Sequence, residues 1–97
     1  MWIGWLELDL LLGDVHSLKE KRSVVRPIVA ELHRRFSVSA AEVGTLDLHR
    51  RATVGLAVVA ADRQHVVEVL DAAERLVAGR PESELLQARR DLRTSDD

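Results

Sequence analysis

Apolar residues recur along this chain with two periods, and the switches between them lay out its elements. Over residues 2–12 the period is two. Leu6, Leu8, Leu10 and Leu12 alternate with Trp5, Glu7, Asp9 and Leu11, as in a strand with one core face. The other side carries two carboxylates but also Ile3, Trp5 and Leu11, which is too apolar for an ordinary wetted face. Gly13-Asp14 is a turn signal. Over residues 17–36 (SLKEKRSVVRPIVAELHRRF) the period becomes helical, and Leu18, Val25, Ile28, Val29, Leu32 and Phe36 share one broad arc. Ser17 and Glu20 have the spacing of a capping box, in which each side chain satisfies an orphan N–H of the first turn. Two residues disturb this pattern. Pro27 cannot bond back to Ser23, so a kink is expected there. Lys21 lies inside the apolar arc, so its head must snorkel or the helix must change phase at Pro27.

A second strand follows at residues 38–43, weakly patterned and with room for a bulge, and a polar connection covers residues 44–51. Residues 52–60 give the clearest strand, apolar on both sides and therefore central. Its second face, Thr53, Gly55, Ala57 and Val59, is nearly all small, which leaves a shallow place where another surface can approach. Asp62 caps a helix over residues 63–78 with the seam Val66, Leu70, Ala73 and Val77; Gly79 suits the C′ position and Pro81 prevents continuation. The last segment, residues 84–93, is ambiguous. Leu86, Ala88 and Leu92 alternate, with Arg90 as an exception, while Leu85, Ala88, Arg89 and Leu92 suit a helix almost as well. Topology favours a strand, because without it the first strand would be left as an edge. The order is then βαββαβ: a ferredoxin-like α+β fold, with a four-stranded antiparallel sheet and both helices on one face. One such domain is expected over residues 1–93, with a disordered tail at residues 94–97.

Composition narrows the function. The 97 residues suit one domain, and with one Phe, two Trp and no Tyr the core must be built from Leu, Val, Ile and Ala. A formal net charge of -2 argues against global attraction to nucleic acid, so any such binding must be local, and DNA is not expected as a partner. The absence of cysteine excludes disulfides, thiolate metal sites and a cysteine nucleophile. Met1 leads straight into strand-like sequence without a secretory leader, and no apolar run approaches the roughly 20 residues that cross a bilayer. A cytoplasmic setting without membrane association is expected.

The run SLKEKR at residues 17–22, followed by FSVSAAEVGTLDLHRRATVGLAVVAAD at residues 36–62, resembles the YlxP-like family of small bacterial proteins, number 503 among the domains of unknown function. That family's second segment runs close to F-N-V-S-x-A-E-V, then an Asp, then a small-residue strand. The likeness covers nearly the whole chain. Ser37 stands where the family commonly has Asn, and His49 where an aromatic residue is frequent. The resemblance implies a ferredoxin-like fold and a bacterial cytoplasmic protein, often encoded near translation factors and ribosome-maturation proteins. It supplies no catalytic residues.

The residues themselves offer one cationic site. Lys19, Arg22, Arg26 and His33 fall on a stripe beside the apolar arc, interrupted only by Ala30, and Lys21, Arg34 and Arg35 add charge to the same helix against only Glu20 and Glu31. Several cations on a rigid helix displace counterions from a phosphate backbone together. Lys19, Lys21, Arg22, Arg26, His33 and Arg34 are therefore the candidate RNA-binding residues, against the alternative of a solvated helix face. The aromatic platforms of single-stranded RNA readers are missing, so phosphate and shape contacts are expected instead of base reading. Other constellations are weaker. Glu7 and Asp9 share a strand face, as a cation site, an acid–base pair or two solvated charges. His16, His33, His49 and His65 show no metal-ligand spacing. Asp47 beside His49 resembles a base with its orienter but lacks a nucleophile, and a turn role fits Asp47 better. No catalytic residue, metal or cofactor is expected. Ile3, Trp5, Leu11, Ala57 and Val59 form the candidate oligomer interface, on a helix-free face that a homodimer would cover. The expected function is a non-enzymatic accessory factor acting on RNA or a ribosomal subunit. The alternative is a ligand-sensing or protein-docking module working through its dimer interface, with Gly13 and Asp14 shaping a pocket there.

Overall fold

Strand β1 (Trp2–Leu12) is followed by helix α1 (Leu18–Arg35), strands β2 (Ser39–Gly44) and β3 (Arg51–Ala60), helix α2 (Arg63–Ala78) and strand β4 (Ser83–Thr94) in a computed structural model that describes residues 1–45 and 47–96. The strands form one antiparallel sheet in the order β2-β3-β1-β4, a ferredoxin-like α+β arrangement. β1 lies between β3 and β4, paired along almost its whole length from Trp2 opposite Ala60 and Thr94.

The period-two pattern of β1 sends Leu6, Leu8, Leu10 and Leu12 inward, all fully buried. They meet Val54 and Leu56 from β3, Val25, Ile28 and Leu32 from α1, and Val66, Leu70 and Val77 from α2. The core is aliphatic, as the shortage of aromatic residues requires. Gly4 sits under α2, where a β-carbon would run into Val66 and Leu70. Glycine here lets the helix lie close on the sheet.

β4 settles the ambiguous segment. Arg90, the polar exception in its alternation, sits at the sheet's edge on the helix side. From there it reaches Asp71 and Glu74 of α2 at 2.8 and 3.0 Å. Its partners come from another element, so the discord in the pattern is an inter-element clamp. β4 also runs longer than its pattern suggested. Thr94, which the sequence placed in the tail, pairs with Trp2, and the Ser95 amide donates to the Met1 carbonyl at 2.9 Å. The expected tail residue Asp97 lies outside the described residues.

The helix ends follow their caps with two differences. The Ser17 hydroxyl accepts from the Glu20 amide at 3.1 Å, and the Glu20 carboxylate reaches back to the His16 amide at 2.8 Å, one residue before the cap. Asp62 caps α2 by accepting from the His65 amide. Gly79 closes α2 in an ordinary right-handed conformation, φ −84, so the expected left-handed C′ geometry is absent. α1 runs through Pro27 as one helix; Pro27 lies on its exposed side. β2 is bulged between Glu42 and Gly44, as its weak pattern suggested.

Candidate nucleic-acid interface

The outer stripe of α1 is built by helical spacing. Arg22, Arg26, Ala30 and His33 line one groove of about 420 Å³ between α1 and the outer edge of β2, floored by Val25 and Val29, with Glu42 on the strand side. Lys19 continues the stripe one turn earlier and is exposed. Among the described residues Lys19, Arg22 and Arg26 have no carboxylate within ion-pair distance, whereas Arg80, Arg89, Arg90 and Arg93, in and just before β4, are each paired. The cations of α1's outer row thus remain available, while those of β4 are committed within the fold.

His33 has a second task. Its Nε2 accepts from the Ala40 amide at 3.1 Å, which occupies an amide of the edge strand β2. Arg34 stands beyond the groove and donates to Glu31 at 3.3 Å, so its charge is partly spent within the helix.

Lys21 does not belong to this surface. It is 1% exposed, and neither snorkelling nor a phase change at Pro27 occurs. Its ammonium pairs with Glu42 at 2.9 Å and donates to the carbonyls of Thr45 and Leu48 at 2.6 and 2.8 Å. Burying a charge is tolerated because the ammonium donates to two carbonyls and lies in ion-pair contact with the Glu42 carboxylate. The grip falls where it is needed, since Thr45 is a β-branched residue at φ 54, a conformation such side chains rarely adopt. Lys21 also neutralises Glu42, the one carboxylate lining the groove. It shapes the groove's field from below.

The sequence-level carboxylate pair is likewise committed. One Arg89 guanidinium bridges Glu7 and Asp9 at 2.9 Å each, and the Thr53 hydroxyl donates to Asp9 at 2.9 Å. Burial pushes the Asp9 carboxyl up, but the bonds from Arg89 and Thr53 outweigh it and hold Asp9 below the ordinary carboxylate value. The bonds to Glu7 and Asp9 raise the Arg89 guanidinium further above its own range. A pair bridged this way serves as a sheet-face strut. Among the described residues no group of three or more His, Cys, Asp or Glu is placed to hold a metal. His16 pairs with Asp14, whose side chain is fully out in solvent, while Gly13 beside it lines a small cleft with Leu11 and Arg50. Asp47 occupies an exposed turn beside exposed His49.

On the open face of the sheet, register brings Ile3 opposite Val59 and Trp5 opposite Ala57. Four of the five apolar residues singled out from the sequence thus form one patch. Leu11 stands apart from it, beyond the Glu7–Asp9–Arg89 network and half-buried next to Arg51 and Glu84.

A family model described as "Protein of unknown function (DUF503)" matches residues 3–90. The chain belongs to this family. It is also 33% identical over 82 residues to a Bacillus subtilis (strain 168) protein described as "Uncharacterized protein YlxP", an overlap that covers 84% of this chain and 89% of that one. The SLKEKR run that carried the resemblance has an architectural explanation in this family member. Ser17 and Glu20 start α1, and Lys21 ties it to the β2–β3 connection; only Lys19 and Arg22 of the run face outward as free cations. No helix among the described residues is long and apolar enough to cross a membrane.

Proposed function

We propose that this protein is a non-catalytic, cytoplasmic accessory factor that docks on the phosphate backbone of RNA, in the setting of a ribosomal subunit, through the outer row of α1. The observation that carries this reading is an aligned row: Lys19, Arg22 and Arg26 stand exposed, a turn apart on one side of α1, without carboxylate partners among the described residues, whereas the β4 arginines are all paired. Unpaired cations on a rigid helix release counterions at little ordering cost. The groove beside them has an apolar floor, two arginines on its helix side and a neutralised Glu42, so it does not repel a phosphate chain lying along it. Lys21 drops out of the binding set, and His33 contributes through its place in the groove.

Sedimentation of the tagged protein in lysate of its own host, at low and moderate salt, tests this reading. Co-migration with a ribosomal subunit that weakens with salt and is lost on combining Lys19→Glu, Arg22→Glu and Arg26→Glu supports it. Protein that stays at the top of the gradient at both salts sinks it. A second reading, a ligand-sensing or docking module, is favoured by the apolar trough on the open sheet face. In that case a small apolar metabolite would raise the thermal midpoint in wild type and triple variant alike.

A further inference from the structure

We propose that the open face of the sheet is a self-complementary surface on which a second copy of this chain packs face to face. Both helices cover the opposite face, while this one leaves Trp5, Val43 and Val59 at 38%, 54% and 62% exposure. Between Trp5 and Val43 runs an apolar trough of about 360 Å³, floored by Ala41, Gly55 and Ala57. Its depth depends on Gly55, where a β-carbon would press on the Val43 methyl groups at 3.1 Å.

Three features select a second copy as the occupant. First, Trp5 is both half-exposed and one wall of a trough able to receive a flat side chain, so an indole and a receiving surface lie side by side on the same face. A two-fold axis passing between them seats each Trp5 in the other protomer's trough, as an isologous contact requires. Second, the charges bordering the patch are closed on themselves: Glu7 and Asp9 on Arg89, and Asp91 on Arg93. With Arg51 also acting on Asp9, the face offers little net field to a strongly acidic or basic partner and recognises by shape and apolar area, which a like copy matches with little charge conflict. Third, the extent fits. Four strands at about 4.8 Å spacing, with about ten residues at about 3.4 Å each, give a face on the order of 600 Å² before side-chain relief. That approaches the roughly 800 Å² per partner buried in a standard interface. A small ligand or a single peptide strand filling the trough would leave Ile3 and Val59 uncovered.

Sedimentation equilibrium of the purified 97-residue chain across the micromolar range decides the matter. The expected result is a mass twice the 10.9 kDa of one chain. Ala57→Glu, which adds a charge at an already exposed side chain, should weaken association by about 100-fold or more, the scale of a buried unpaired interfacial charge. Should Ala57→Glu fail to fold, Val59→Glu makes the same test at a more exposed position. The α1 triple Glu variant should keep the double mass, which separates this surface from the RNA reading. A single-chain mass at every concentration overturns the proposal. So does a dimer that survives both Ala57→Glu and Trp5→Ser, because it would pair through some other surface.

Discussion

Lys21 shows how far one side chain can depart from what its neighbours suggest. It sits in a run of cations, and helical phase alone cannot tell a snorkelling lysine from a buried one. The difference lies in Glu42 and the carbonyls of Thr45 and Leu48, which reach it only because β2 returns beneath α1. Removing one member of such a pair leaves the other partly buried and unpaired. Lys21→Ala is therefore expected to cost roughly 3 kcal/mol in urea unfolding, while Arg22→Ala, at an exposed neighbour, should stay within about 0.5 kcal/mol. Asp9 makes a second prediction at this scale. Its carboxyl titrates lower in the folded chain than in the unfolded one, so its contribution is complete above the unfolded value of about 3.9. It is lost as pH falls through the lower folded value. Asp9→Asn should lower stability at neutral pH by up to about 1 kcal/mol, in keeping with a strut whose other members, Glu7 and Arg89, are open to solvent, and should flatten the acid limb of a stability–pH curve.

At the scale of elements, period and capping carried most of the architecture. The β1 leucines, the α2 seam and the caps at Ser17 and Asp62 were readable because each obeys a rule local in sequence. β4 was not, because its alternation is broken twice: by a register shift that turns Leu86 outward and sets Leu85 against the core, and by Arg90, whose reason is the carboxylate pair on α2. Only the need to give β1 a second neighbour decided it. Gly4 was equally silent in the sequence, since nothing local announces that a helix will press on it. Gly4→Ala is expected to destabilise the fold by about 1–3 kcal/mol through overpacking against Val66 and Leu70. Thermal unfolding measures this, and Gly13→Ala, with nothing near its β-carbon, serves as the control.

For the whole molecule, the informative quantity is which charges are spent, not the net charge of -2. The stripe on α1 was visible from spacing, but its unpaired state was not, because pairing depends on where β2 and β4 bring their carboxylates. If Lys19, Arg22 and Arg26 each contact one phosphate of a single strand, binding should fall with salt with a log–log slope of about −2. The triple Glu variant should lose that dependence in filter binding or fluorescence anisotropy. The small-residue face of β3 was likewise legible as a shallow place, while its walls, Trp5 and Val43, required the register of three strands.

The same register gives the chain two optical reporters on opposite sides of one sheet. Trp2 lies on the helix side with the Arg63 guanidinium 6.0 Å above its ring, and Trp5 projects from the other side. The chain has no tyrosine, so the emission of a Trp5→Phe variant comes from the indole beside α2 and follows that helix as it leaves the sheet. The emission of a Trp2→Phe variant comes from the open face and follows whatever arrives there. Two single-tryptophan variants, each measured alone, would thus read folding and docking separately.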